Sequence, residues 1–148
     1  LEKQNNLPGS ITYETNGTQT LKEPFKEWIK NCDTEIFFSV SPKLFTVSGE
    51  KTEKAIKPET VAEYYKLRKT GQLKFVVGEK DREWDEMESA IEKFRNAGVE
   101  WPVWVMPTGA REEEQVSGAG KVAEKAFKKG YNVAARVHVY LFGNAIGT

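Results

Sequence analysis

Short apolar runs rich in β-branched and aromatic residues recur along the chain, and each breaks abruptly into a small polar cluster. Ile11-Thr12-Tyr13 runs into Glu14-Thr15-Asn16-Gly17-Thr18, and Glu35-Ile36-Phe37-Phe38-Ser39-Val40 into Ser41-Pro42-Lys43. Leu73-Lys74-Phe75-Val76-Val77 ends at Gly78-Glu79-Lys80, and Val103-Trp104-Val105-Met106 at Pro107-Thr108-Gly109. Runs of this length, bounded by turn-forming residues, read as strands. Between them the apolar spacing becomes helical. Leu21, Phe25, Trp28 and Ile29 predict a helix over residues 21–32, with Pro24 tolerated in its first turn. Val61, Tyr64, Tyr65 and Leu67 predict a second from Pro58 to about Lys69, closed by Gly71. Asp81 is the expected N-cap of a third, which carries Trp84, Met87, Ala90, Ile91 and Phe94 and stops at Gly98. A fourth, from about Arg111 to Lys129, carries Val122, Ala126 and Phe127 and stops at Gly130. Its internal Gly118 and Gly120 each cost roughly 1 kcal/mol relative to Ala. The Lys- and Glu-rich stretch Lys51–Lys57 reads as a solvated loop, and a closing strand is expected from about Val133 to Phe142.

Strand and helix thus alternate four times before the closing strand. That order predicts an α/β fold: a parallel sheet of about five strands alternating with helices, in one domain spanning residues 1–148. In open parallel sheets and in α/β barrels, ligands bind beyond the carboxyl ends of the strands. Polar clusters at four successive strand ends are what one side of such a site requires.

Composition narrows the partners. Twenty-two basic and twenty-two acidic residues cancel, so bulk charge does not draw the chain to nucleic acid or to a membrane surface. The apolar runs are strand-length, so no membrane span is expected. A single cysteine, Cys32, excludes a disulfide within the chain and fits a reducing, cytoplasmic setting. It also excludes an iron–sulfur cluster held by cysteines of this chain alone. The chain opens at Leu1 rather than Met and soon enters a strand, as a fragment of a longer protein would.

The strand-end clusters differ in their chemistry. Glu14-Thr15-Asn16-Gly17 serves equally well as a strand-to-helix turn, because Asn-Gly favours positive φ, or as a binding edge. In Ser39-x-Ser41-Pro42-Lys43, two hydroxyls alternate on one side, the proline fixes the backbone, and the lysine can meet a carboxylate or phosphate. Lys43 could alternatively form a Schiff base, or simply be a solvated turn residue. Pro107 and Gly109 leave little bulk beside Met106 and Thr108, which lets the backbone approach a ligand or make a plain turn. His138 alternates with Val137 and Val139 and reads as structural. Cys32 reads as a partly buried thiol, the four tryptophans as mostly core, and the acidic residues Asp85, Glu86, Glu88 and Glu112 to Glu114 as solvated helix faces. No spacing matches a zinc or calcium site.

Taken in order, several of these segments carry a resemblance. Tyr13-Glu14-Thr15-Asn16-Gly17-Thr18, Val40-Ser41-Pro42-Lys43, Leu73-Lys74-Phe75-Val76 and Arg136-Val137-His138-Val139-Tyr140-Leu141-Phe142-Gly143-Asn144, with Gly147-Thr148, are similar to 7-carboxy-7-deazaguanine synthase. This is a radical S-adenosylmethionine enzyme of queuosine and 7-deazaguanine biosynthesis. The likeness runs through essentially the whole chain but corresponds to the later part of the family's sequence, so the fold it implies is the later part of a partial (β/α) barrel. It implies conversion of 6-carboxy-5,6,7,8-tetrahydropterin to 7-carboxy-7-deazaguanine, a lyase reaction with loss of ammonia. In the family a 4Fe–4S cluster cleaves S-adenosylmethionine, the resulting adenosyl radical takes a hydrogen from the pterin, and Mg2+ assists.

Carried onto this chain, the resemblance places S-adenosylmethionine at Ser41, Pro42 and Lys43 and at Met106, Pro107, Thr108 and Gly109. Met106 stands where the family more commonly has Gln. The family's C-terminal residue folds over the pterin, which makes Thr148 the substrate-contact candidate. Glu14, Thr15 and Asn16 complete the strand-end site. No catalytic residue and no metal ligand is assigned to this chain. The family's CxxxCxxC motif and its Gly-Gly-Glu-Pro strand end precede the ETNG strand and are not in this sequence, nor is the threonine that helps hold magnesium. The expectation is therefore the carboxy-terminal part of a synthase, inactive alone, and marginal or self-associating because the Ile11–Tyr13 strand lies at an exposed sheet edge. A stand-alone, non-catalytic S-adenosylmethionine- or nucleotide-binding module is the alternative. The family is commonly dimeric, and nothing in the sequence points to a nucleic-acid or membrane partner.

Overall fold

The computed structural model describes residues 8–109 and 112–137. In chain order the elements are β1 (Ser10–Thr15), α1 (Glu23–Asn31), β2 (Glu35–Val40), α2 (Phe45–Ser48), α3 (Thr52–Ala55) and α4 (Pro58–Leu67). They continue with β3 (Gly71–Val77), α5 (Asp81–Asn96), β4 (Val103–Pro107), α6 (Glu112–Lys128) and β5 (Asn132–Val133). The strands form one sheet in the order β1-β2-β3-β4-β5, and every neighbouring pair is parallel. The expected α/β fold with a five-stranded parallel sheet is therefore observed.

One hydrophobic cluster covers one face of that sheet. Ile36, Phe38 and Val40 of β2, Leu73, Phe75 and Val77 of β3, and Val103 and Val105 of β4 share it with Ile29, Val61, Tyr64, Trp84, Met87, Phe94, Val122 and Ala126 of the helices. Phe38 stacks on Tyr64 at 5.1 Å and on Trp101 at 6.0 Å between ring centroids, which ties the sheet to α4 and to the entry of β4. Fully buried side chains have left water here, at roughly 1.5–3 kcal/mol each for the larger apolar residues. The alternate positions on β3 and β4, among them Gln72, Lys74, Val76, Trp104 and Met106, are only half-buried. Parallel sheets ordinarily bury both faces. Here the face away from the helices stays partly open, and it carries the polar residues.

Several element boundaries depart from the sequence expectations. Helix α1 begins at Glu23, after Leu21, with Pro24 in its first turn as expected. Helix α4 ends at Leu67, and Gly71 does not close it but opens β3, where an added Cβ would lie 2.5 Å from the Trp101 ring. Asp81 is the first helical residue of α5 rather than its cap; Lys80 holds the cap position without a side-chain bond. The carboxylate at the helix start still complements the positive end of the helix dipole. Lys51–Lys57 is not a solvated loop: it contains α3, and Ala55 and Ile56 are buried. The closing strand is short, Asn132–Val133, although the Ala134 N–H still donates to the Val105 carbonyl of β4 at 2.9 Å. The rest of the expected strand, including His138, lies outside the described residues, as does Thr148. Trp84 and Trp101 are core, whereas Trp28 and Trp104 are half-buried. Among the described residues, no helix is long and apolar enough to cross a membrane.

Candidate functional site

Residues from the ends of β1, β2, β3 and β4 meet in one cleft on the open face. Glu14, Thr15 and Asn16 line it from β1, Ser39, Ser41 and Lys43 from β2 and the turn after it, and Lys74 and Val76 from β3. Met106 of β4 and Arg136, beyond β5, complete the lining of a space of about 430 Å³. That volume falls in the range of small-molecule sites, roughly 300–1,000 Å³. Strand register explains the convergence. Glu14 pairs with Ser39 and Ser39 with Gln72, while Val76 pairs with Met106, so residues distant in sequence project from the same side of adjacent strands.

The strand ends are held by short bonds. The Ser41 backbone N–H donates to the Thr15 carbonyl at 2.7 Å, joining the two polar clusters. The Gly17 N–H donates to Thr15 Oγ1 at 3.1 Å, and the Thr18 N–H to Asn16 Oδ1 at 3.1 Å. Gly17 has φ of 80° and is buried against Val40 and Val61, so the Asn-Gly pair does form the positive-φ turn, and it does so at the rim of the cleft. Gln72 donates to Ser39 Oγ at 2.9 Å. Tyr64 O–H donates to the Gln19 carbonyl and tethers the loop after β1 to α4. Burial pushes the Tyr64 hydroxyl upward, with the hydrogen bond to Thr15 opposing.

Electrostatically the cleft is cationic, with Lys43, Lys74 and Arg136 facing one carboxylate, Glu14. Lys74 Nζ lies 3.2 Å from Glu14 Oε1, with the lysine side chain 17% exposed and the glutamate 72%. Arg136 Nη1 donates to the Gly109 carbonyl at 2.9 Å, and its buried Nε has no hydrogen-bond partner among the described residues. Cations, hydroxyls and an amide arranged this way suit a ligand with a carboxylate and several polar edges.

The residues expected at S-adenosylmethionine do not all reach this cleft. Ser41, Lys43 and Met106 do; Pro42 is buried beneath the turn. Thr108 and Gly109 line a neighbouring cleft of about 420 Å³, together with Gly78, Glu79, Glu83 and the α6 residues Gly118 and Val122. Pro107, the last residue of β4, is buried. The nearly buried Glu83 accepts from the Gly78 N–H at 2.6 Å and the Trp84 indole donates to the Gly78 carbonyl at 2.9 Å, so this second strand end is tied to the start of α5. Lys74 and Arg136 are the site residues that motif reading passed over. Lys74 carried a readable signal: it is a charge at the alternate position of an apolar strand, and period two sends it to the face opposite Leu73 and Phe75.

The acidic residues of α5 are also not uniform solvated faces. Glu88 pairs with Lys129 at 2.5 Å, and the half-buried Glu86 accepts from Phe45 N–H at 2.7 Å, Thr46 N–H at 2.9 Å and Thr46 Oγ1 at 2.6 Å. Cys32 caps the C-terminus of α1, partly buried, just before β2 begins, and so sits at the opposite end of the sheet from the cleft. No group of three or more His, Cys, Asp or Glu that would hold a metal ion occurs among the described residues. No protein-family description, curated protein or solved structure matches the chain.

Proposed function

We propose that this chain is the carboxy-terminal part of a 7-carboxy-7-deazaguanine synthase, a radical S-adenosylmethionine lyase whose partial (β/α) barrel it would help to build. The observation that carries the reading is the single cleft into which Glu14-Thr15-Asn16, Ser41, Lys43 and Met106 converge from three strand ends. The donor set suits S-adenosylmethionine, which in this family supplies the adenosyl group that abstracts hydrogen. Lys43 and Ser41 would receive its carboxylate, and Glu14 its ammonium group. Arg136 and Lys74 leave positive charge for the carboxylate of a 6-carboxy-5,6,7,8-tetrahydropterin.

The iron–sulfur cluster does not fit this chain. Its one cysteine stands at the far end of the sheet, so the thiolate ligands, and the residues holding Mg2+, would have to come from other sequence. No reductive step is therefore assigned to these residues; their part is to bind and orient. Lys43 is exposed, which is not the desolvated setting in which lysine amines become Schiff-base nucleophiles.

Saturation-transfer NMR with S-adenosylmethionine tests the reading on the full 148-residue chain. The adenine and ribose protons should saturate, S-adenosylhomocysteine should compete, and Lys43→Ala should weaken the signal. Absence of any saturable contact overturns the proposal. Fusion behind a segment carrying CxxxCxxC, reconstituted without oxygen, separates the alternative. Product at the mass of 7-carboxy-7-deazaguanine supports the synthase, and binding without product supports a non-catalytic S-adenosylmethionine- or nucleotide-binding module.

A further inference from the structure

Lys43 reaches the cleft from a backbone that needs an anchor. Its side chain has four rotatable bonds, so its ammonium group is only as well placed as the chain that carries it. Upstream, the Ser41 N–H is fixed to Thr15 in the sheet at 2.7 Å. Downstream, the chain enters α2, a single turn of four residues whose own N-cap, Leu44, makes no side-chain cap bond. One turn of helix is unstable in water by itself, because nucleation fixes several residues for one bond. Its first N–H groups would be left without acceptors.

Those groups are taken up from a distance of 40 and 41 residues in sequence. Glu86 Oε1 accepts from the Phe45 N–H at 2.7 Å, and Oε2 from the Thr46 N–H at 2.9 Å and the Thr46 hydroxyl at 2.6 Å. Thr52 of α3 adds a longer contact to Oε1 at 3.4 Å. Glu86 stands on α5, sixteen residues long and seated in the core through Trp84, Met87, Ile91 and Phe94, so it is a rigid base. Bonds to an ionised carboxylate are the stronger kind.

We propose that Glu86 is a positioning residue for Lys43, bracing the turn after the Ser-Pro-Lys strand end so that the lysine amine enters the cleft at a fixed point. The inference rests on reading that cleft as an S-adenosylmethionine site. Glu86 touches no ligand; it acts through Lys43.

A double-mutant cycle on the full chain tests this, with S-adenosylmethionine as the probe. Glu86→Ala should weaken binding about fivefold in the native background and by less than about twofold in Lys43→Ala, because the coupled contact is then already gone. Equal losses in both backgrounds, or none in either, overturn the proposal. Glu86→Gln keeps one acceptor and should fall between; it replaces the alanine variant if that fails to fold. Should the native chain bind no S-adenosylmethionine, the reading of the cleft falls, while 15N relaxation of the Lys43 amide still decides the brace. An order parameter near about 0.85 that drops in Glu86→Gln upholds it. Loosening confined to Phe45 and Thr46 overturns it.

Discussion

Gly17 lies at the rim of the cleft, and replacing it with alanine separates two physical effects. Its φ of 80° is a backbone conformation that costs a non-glycine residue about 1–2 kcal/mol. A Cβ there would also meet Val40 Cγ1 at 2.8 Å and Val61 Cγ2 at 2.9 Å, closer than carbon atoms pack. Both neighbours are fully buried in the core, so they yield only by straining the end of β2 or the middle of α4. Overpacking of this kind adds about 1–3 kcal/mol. Gly49 supplies the control. It has φ of 75° with nothing within 4 Å of an added Cβ, so Gly49→Ala carries the conformational term alone. The loss of unfolded-chain entropy is common to both variants and cancels. Urea unfolding should therefore place Gly17→Ala about 1–3 kcal/mol below Gly49→Ala, and about 2–5 kcal/mol below the native chain. At about 2–4 °C per kcal/mol for a chain of this size, the Gly17→Ala melting point falls by roughly 4–20 °C. Because Val40 immediately precedes Ser41, S-adenosylmethionine contact should weaken as well. Equal destabilisation by the two substitutions would refute the packing argument.

Two further outcomes follow from charges near the cleft. Burial pushes the Glu86 carboxyl up, but the hydrogen bonds from Thr46, Phe45 and Thr52 outweigh it and hold it below the ordinary carboxylate value. A depressed folded value means that the stability it contributes is present above the unfolded value and lost as pH falls through the folded one. The stability difference between the native chain and Glu86→Gln should stay flat above about pH 5 and shrink below it in urea titrations; a difference that instead shrinks as pH rises would contradict the assignment. Lys74→Met should leave the unfolding free energy from urea titration within about 1 kcal/mol of native, because the partner Glu14 is largely exposed and screened. The same substitution should weaken S-adenosylmethionine or pterin binding about tenfold, the scale of one lost charge-assisted contact, and an unchanged affinity would remove Lys74 from the site.

The strands and long helices were legible because period and punctuation agree locally. Alternation in Leu73–Val77 and the helical spacing of Trp84, Met87, Ile91 and Phe94 each point to one burial pattern, and the chain adopts it. What was not legible depends on partners far away in sequence. The polar stretch Lys51–Lys57 gives no apolar period, yet Ile56 is buried because the neighbouring elements close over it. Glu86 sits among other acids on an amphipathic helix, and only the fold brings Phe45 and Thr46 to it. Gly71 looked like a helix stop because glycine commonly is one; its actual role is to let the Trp101 ring approach the strand. At the site, the strand-end clusters could be read, but how Met106 and Thr108 divide between two clefts could not. Alternation places Met106 on the open face and Pro107 on the core side, but Thr108 lies past the end of β4, where strand periodicity no longer fixes direction.

The same alternation explains why the charge at Lys74 is tolerated. A lysine in a central parallel strand would ordinarily face a helix layer and be costly to bury. On this sheet it faces the side the helices leave open, where its side chain is 17% exposed and its amine finds Glu14 at 3.2 Å. That ion pair is asymmetric. The lysine side chain is mostly buried, while the glutamate, 72% exposed, can turn to water at little cost. A ligand carboxylate arriving at Lys74 would thus displace a partner that is already well solvated. That favours exchange, since the displaced glutamate recovers its hydration. The open face is therefore where the sheet carries a charge that its helix-covered face would exclude.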